Sequence, residues 1–369
     1  MSKINNKVAV VAAKRSPIGV FKKTYKDVDL VSLSSELIDK MLKEIKLDKD
    51  LIDEVIVGTV LQGGRGQNIA RQIEINAKIS NEKPAYTVDM VCGSSMKAIN
   101  LAKNSILVGE SKVILVGGVE FMSDANFMYE DGLFCSFSNA SMGITAENIV
   151  EKYKLKRSEL DKFSLNSTKK AIEAQEKERF KDEIVEIFGV SKDEFVRLDQ
   201  SIEKLGKLKP VFKEDGIVTA GNSTGLNDGA SFLVLMEESY AKKMGFEILA
   251  YIDDVVSVGL DPNYMGLGPI YAIDKLIKKN NIDISSIDLF EINEAFAAQA
   301  LVCINELDID EKKVNVNGGA IALGHPLGAT GARIVTTLIY EMRRRKVNKG
   351  IASLCIGGGQ GMALLVGRD

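Results

Sequence analysis

Short β-branched runs alternate with stretches of helical spacing along this chain, and the alternation restarts in its last third. Lys7 to Ala13 reads as a buried strand, with Val8, Val10 and Val11 flanked by alanines. Val28 to Ile45 has helical spacing: Leu30, Leu33, Leu37, Ile38, Met41, Leu42 and Ile45 share one face. Val55-Ile56-Val57 is a second strand, Gln67 to Ala77 a helix and Tyr86 to Val91 a short strand. A helix from Gly93 to about Val108 and a strand from Lys112 to Val116 follow. A chain patterned this way folds as an α/β protein with buried sheets.

The last third repeats the pattern. Leu249 to Val258 is strand-like, Gly268 to Lys279 helical, Leu289-Phe290-Glu291 a strand and Glu294 to Leu307 a helix. Asn315 to Gly319 leads into a helix from Gly328 onward. Ile351 to Ile356 and Gly361 to Val366 make an apolar hairpin around Gly357, Gly358 and Gly359. A small-residue turn opens a long helix at both Cys92 and His325, and a strand runs into glycines at both Val113–Gly118 and Ser353–Gly359. These parallels predict a duplicated α/β unit. Between the two units, Met122 to Lys213 is rich in Lys, Glu, Asp and Ser and predicts an inserted, largely helical layer. Phe232 to Met236 returns to the core.

The 369 residues suffice for two or three domains. Lys plus Arg number 48 and Asp plus Glu 51, a balance that argues against nucleic acid or a membrane surface as partner. No apolar run reaches the length of a membrane span, and Val8 to Ala13 is too short for a signal-peptide core, so the expected location is cytoplasmic. Cys92, Cys135, Cys303 and Cys355 are scattered without a CxxC pair, so no metal site is expected and the thiols are expected to be reduced.

Cys92 lies between a strand and a helix, where free N–H groups and the helix dipole favour a thiolate. A buried structural cysteine is the competing reading. His325 tips the balance. It is the only histidine, and it sits in Asn317-Gly318-Gly319-Ala320-Ile321-Ala322-Leu323-Gly324-His325-Pro326-Leu327-Gly328. Glycine so dense implies close approach or positive φ, and Pro326 fits the first turn of the next helix. A neutral imidazole there can take a thiol proton near pH 7. Cys355 precedes Gly357-Gly358-Gly359, whose amides can cradle an oxyanion. Asn293 is a candidate helix N-cap or a holder of water. Gly221 to Gly229 is a second polar loop, suited to an extended ligand or to a plain connection. No glycine fingerprint for a nicotinamide cofactor or a phosphate loop is found.

These segments together resemble the thiolase family, in particular its acetyl-CoA acetyltransferases, nearly end to end. Arg15-Ser16-Pro17-Ile18-Gly19 and Gln62 to Arg71 resemble its early segments, and Val91-Cys92-Gly93-Ser94 its nucleophile motif. Asn293-Glu294-Ala295-Phe296, Asn317 to Gly331 and Cys355-Ile356-Gly357-Gly358-Gly359 resemble its other catalytic motifs, in family order. The resemblance implies an α/β thiolase fold: a duplicated five-layered αβαβα core with an inserted loop domain that covers coenzyme A. Residues 1–120 with 228–245 would form the first half, 121–227 the loop domain and 246–369 the second half. It implies coenzyme A thioesters as substrates, no tightly bound cofactor and a homodimer. Cys92 would be acylated, His325 would take its proton, and Cys355 would deprotonate the second acetyl-CoA. One oxyanion hole would lie at His325 and a water on Asn293, the other at the amides of Cys92 and Gly357. Arg197 would face the adenine, Ala220 and Thr224 the rest of the coenzyme, and Met142, Met265 and Phe296 would line the acyl pocket.

Two departures stand out. Ser141-Met142-Gly143 replaces the His-Met-Gly usual in biosynthetic relatives, which opens the alternative of a degradative 3-ketoacyl-CoA thiolase of broader chain length. Only Asp124 to Glu130 occupies the place of the family's tetramerisation loop. A non-catalytic thiolase-like subunit is the remaining alternative.

Overall fold

A computed structural model describes residues 7–369. The first half begins with β1 (Val8–Arg15), short β2 (Gly19–Val20), α1 (Leu30–Glu44), β3 (Glu54–Gly58), α2 (Ile69–Asn76), β4 (Ala85–Val88), α3 (Ser94–Val108) and β5 (Val113–Phe121). The inserted stretch carries the hairpin β6–β7 (Phe134–Cys135 and Ala140–Ser141), α4 (Met142–Tyr153), α5 (Arg157–Glu176) and α6 (Ile202–Gly206). Then β8 (Asn227–Glu237) and α7 (Glu238–Met244) return to the core. The second half follows with β9 (Ala250–Gly259), α8 (Gly268–Asn280), β10 (Leu289–Ile292), α9 (Ala297–Glu306), α10 (Ala320–Leu323), α11 (Thr330–Arg345), β11 (Lys349–Ile356) and β12 (Gln360–Gly367).

The strands of the first half lie in the order β1-β8-β5-β3-β4, and those of the second in the order β9-β12-β11-β10. The parallel and antiparallel senses match strand for strand: β3–β5 and β10–β11 are parallel, β5–β8 and β11–β12 antiparallel. Even β4 has a vestigial counterpart, a parallel bridge from Phe290 to Val314. The duplication expected from the sequence is therefore present in the topology. β1 and β9 join the two sheets through Ala9–Tyr251 and Val10–Ala250.

Alternation along each strand builds the layers. In β5, Val113 and Leu115 face a core shared with Leu33, Leu37, Met41 and Ile73 of α1 and α2. Ile114 and Val116 face the opposite core, shared with Met96 and Ile99 of α3 and Val335 and Leu338 of α11. That second core also takes Leu354 and Leu364 from the other half, whose outer face packs on Ile273 and Leu276 of α8. The result is the five-layered αβαβα arrangement, with α3 and α11 buried between two sheets. Asp29 caps α1 by accepting from the amides of Val31 and Ser32, while Gly109 ends α3 at φ +80°.

Three local expectations are corrected. The stretch from Met122 to Lys213 is less helical than its composition implied, because the chain from Lys177 to Gln200 runs without a helix. The helix expected from Glu294 starts at Ala297, since the carboxylate of Glu294 is drawn away to Ser167 Oγ (2.7 Å) and Asn315 Nδ2 (2.8 Å). Pro326 precedes a 3-10 turn (Leu327–Ala329) rather than opening α11 itself.

Candidate active site

The turn that carries Cys92 is strained. Val91, a β-branched residue, holds φ at +46°, a region that costs L-residues about 1–2 kcal/mol. Local hydrogen bonds hold it there. Asp89 Oδ1 accepts from Val91 N (2.9 Å), Ser94 Oγ donates to Val91 O (2.6 Å), and Ser94 Oγ accepts from Met90 N (2.9 Å). The strain sets Cys92 in a 3-10 turn, Val91–Gly93, immediately ahead of α3.

Glycines let the second half approach this turn. A Cβ on Gly118 would lie 2.2 Å from the carbonyl oxygen of Gly328, and one on Gly331 would lie 2.5 Å from the amide of Met96. The starts of α3 and α11 are tied by Ala332 N donating to Ser95 Oγ at 2.9 Å. Leu327 packs with Val91 and Cys92 in one apolar cluster. From the other side, the amide of Gly357 donates to the Cys92 sulfur.

Burial governs the thiol. It pushes the Cys92 pKa up to about 12, and the Gly357 amide only partly offsets this. Desolvation thus opposes the thiolate expected from the helix start, at a side chain half-buried by surface area. His325 is likewise neutral. Burial, helped by the charge of Arg333, lowers its pKa to about 3. The resting pair is a neutral thiol and a neutral imidazole.

Both ring nitrogens of His325 have partners. Nδ1 lies 2.6 Å from Thr330 Oγ1, and Nε2 lies 3.4 Å from Asn293 Nδ2. The backbone amide of His325 donates to Asn227 Oδ1 (3.1 Å), and Asn227 Nδ2 donates in turn to Gly19 O (2.9 Å). Asn293 is no helix cap: the cap position of α9 belongs to Phe296. The buried Oδ1 of Asn293 has no partner among the described residues. A buried acceptor left open beside a base is a place for one bound water.

Cys355 is the penultimate residue of β11 and is fully buried. Its pKa is raised well above the usual thiol value by burial, with Cys92 and Cys303 adding to the effect. It packs in one apolar cluster with Met142, Met265, Phe296 and Phe212. Phe212 meets Phe296 edge to face at 6.1 Å between ring centroids. Gly358 and Gly359 both hold positive φ, while Gly357 does not. A cavity of about 260 Å³ opens beside Val91, Cys135, Met142 and Gly357.

The fold thus gathers Cys92, Asn293, His325, Cys355 and Gly357, and brings Met142, Met265 and Phe296 against Cys355. Arg197 and Ala220 stand exposed on the inserted stretch, with the Arg197 guanidinium over the Phe195 ring. Thr224 is half-buried; its amide donates to Ala295 O and its hydroxyl to Ala320 O. Three supporting residues escaped sequence reasoning: Thr330, Asn227 and Glu120. Burial raises the pKa of Glu120 to about 7, offset in part by the amides of Leu61, Gly328 and Val60 and by Thr59. Only the Ser/Thr five positions after the histidine left any trace in the sequence. Among the described residues, no group of His, Cys, Asp and Glu suits a metal ion, and no helix is long and apolar enough to cross a membrane.

Two like α/β halves with Cys92 and Cys355 at their junction match the architecture of the thiolase fold. The profile of the thiolase N-terminal domain matches residues 8–130 and 124–239, and that of the thiolase C-terminal domain matches 246–368. A probable acetyl-CoA acyltransferase of Staphylococcus aureus is 45% identical, over 98% of this chain and 99% of the relative. The acetyl-CoA acetyltransferase of Bacillus anthracis superposes with a TM-score of 0.94 at 42% identity, over 98% of both chains. The human mitochondrial 3-ketoacyl-CoA thiolase in complex with CoA gives 0.94 at 38% identity, over 99% of this chain and 98% of that one. This chain belongs to the thiolase family and is an acyltransferase.

Proposed function

We propose that the enzyme catalyses the reversible Claisen condensation of two acetyl-CoA molecules to acetoacetyl-CoA and free coenzyme A. The observation that carries this reading is the convergence of Cys92, under the Gly357 amide, with Cys355 in an apolar pocket and a neutral His325. His325 Nε2 takes the Cys92 proton as the sulfur attacks the thioester carbonyl, then returns it to the departing coenzyme A sulfur. The oxyanion formed is met by His325 and a water on Asn293, or by the amides of Cys92 and Gly357, donors set in place before charge develops. Cys355 first gives up its thiol proton to water and then, as thiolate, removes the α-proton of the second acetyl-CoA. A thiol of raised pKa makes a stronger base, suited to a weakly acidic carbon. The carbanion attacks the acyl group and frees Cys92, whose sulfur takes a proton back from water, so that one proton leaves and one returns in each cycle.

Arg197, Ala220 and Thr224 contact the coenzyme in this reading, and Met142, Met265 and Phe296 enclose the acyl group. Incubation with acetyl-CoA followed by intact mass spectrometry and peptide mapping tests it: one acetyl group on Cys92 is expected. Label on Cys135 or Cys303 would overturn the assignment.

The second reading, a 3-ketoacyl-CoA thiolase of broader chain length, is favoured by one feature. Ser141, half-buried at the N-cap of α4, makes no capping hydrogen bond, and its hydroxymethyl group is smaller than an imidazole. Relative rates on acetoacetyl-CoA and longer 3-ketoacyl-CoAs separate the two readings, and Ser141→His should narrow the range. A methylene or two is discriminated by only about 1–3 kcal/mol, so the preference should be graded. The chain is also proposed to act as a homodimer. β4 is an edge strand whose Tyr86 and Val88 pack only partly on the core. Light scattering checks this, and a stable tetramer would refute it.

A further inference from the structure

We infer that Thr330 is a positioning residue that fixes the tautomer of His325; the inference rests on the role of His325 as proton acceptor for Cys92. Thr330 is the first residue of α11 and has no exposed surface. Its Oγ1 lies 2.9 Å from the carbonyl oxygen of Pro326, one helical turn back, and 2.6 Å from His325 Nδ1. A hydroxyl has one hydrogen to give and lone pairs to receive with. A carbonyl can only accept, so the hydroxyl hydrogen goes to Pro326 and the short contact is Nδ1–H donating to Thr330.

The far side of the ring is compatible with this. In the amide orientation of the structure, Asn293 Nδ2 stands 3.4 Å from Nε2 and donates to it. Nε2 then carries the lone pair. Both ends of the imidazole agree on the tautomer protonated at Nδ1, the only neutral form able to receive the Cys92 proton at Nε2.

Thr330 also suits the charged state. When Nε2 takes the proton, Nδ1 keeps its own, and the Thr330 oxygen still accepts from it. The contact to Thr330 is the same before and after transfer, so the ring need not move. The carbonyl that orients the hydroxyl belongs to Pro326, adjacent to His325, whose ring holds φ at −68°. Valine at 330 has nearly the same shape but no oxygen. It would leave a buried Nδ1–H without an acceptor, which favours moving the proton to Nε2, the wrong nitrogen for a base.

Because His325 is the only histidine, the full-length enzyme labelled with imidazole ¹⁵N reports this site alone. The wild-type spectrum should show a protonated Nδ1 and an unprotonated Nε2. Thr330→Val should shift the population toward the Nε2–H form. Acetyl transfer to Cys92 should slow by about 10²-fold or more, while KM for acetyl-CoA changes little. Thr330→Ser should restore both tautomer and rate. If Thr330→Val does not fold, the wild-type spectrum and Thr330→Ala give the same decision. A wild-type Nε2–H tautomer, or a valine or alanine variant with wild-type tautomer and rate, would overturn the inference. His325→Gln separates it from the reading beneath: if that variant acetylates Cys92 at the wild-type rate, His325 is not the base, whatever the tautomer.

Discussion

In the first half, β5 carries Gly117, Gly118 and Glu120 and ends at Phe121; its counterpart β11 carries Cys355, ends at Ile356 and runs into Gly357, Gly358 and Gly359. In the proposed reading, the same place in the repeated unit serves support in one half and chemistry in the other. Glu120 accepts from the amides of Val60 (3.0 Å), Leu61 (3.1 Å) and Gly328 (2.9 Å), so it docks the loop after His325 onto the first half. Gly357 does the converse, donating its amide to Cys92. Each half completes a turn of the other. Duplication supplied two equivalent scaffolds; in the proposed reading one holds the nucleophile, braced by a carboxylate, and the other provides base and oxyanion donors.

The sharpest way to break this division is to remove one thiol at a time. Cys92→Ala should abolish acetylation by acetyl-CoA, a loss of about 10⁴-fold or more as followed by intact mass. Cys355→Ala should still accept the acetyl group, because that thiol acts only in the second half-reaction. Condensation, and exchange of acetyl methyl protons with deuterated water, should fall by about 10²–10⁴-fold. If Cys355→Ala blocked acetylation and kept proton exchange, the two roles would have to be exchanged.

The bracing role of Glu120 predicts a smaller effect. Glu120→Gln turns an amide NH₂ toward backbone donors that need an acceptor. Unfolding free energy should drop by about 1–3 kcal/mol, read by chemical denaturation. An unchanged midpoint and slope would mean that Glu120 does not brace the halves. The smallest effect concerns pH. Burial raises the carboxyl of Glu291 to about 8, with Arg333 opposing, and that of Glu120 to about 7, both from 4.5. A carboxyl whose folded pKa lies above its unfolded value gives stability that is whole below the unfolded pKa and is lost as pH rises through the folded one. Melting temperature should therefore decline by a few degrees between about pH 5 and pH 8. Glu291→Gln should flatten the upper part of that decline, and a profile unaltered by the substitution would remove Glu291 as its source.

Much of this protein was legible before folding. Period-two runs such as Val113–Val116 and the periodic face of Leu33, Leu37 and Met41 fix strands and helices locally, and the repeat of that pattern exposes the duplication. Cys92, His325 and Cys355 stand out because glycine-dense turns advertise close approach. What the tertiary structure alone decided depends on partners far along the chain or on water withdrawn by packing. Glu120 meets Gly328 across 208 positions, and Asn227 meets His325 across 98. The sequence placed Cys92 at a helix start and so favoured a thiolate. Only the assembled core adds the desolvation that raises the thiol pKa and opposes this. Asn293 read as a helix cap or a water holder, and the position of α9 removes the cap reading. Local pattern reports backbone geometry; the protonation of a buried group, and the neighbour that orients it, are set by contacts that exist only after the two halves close on each other.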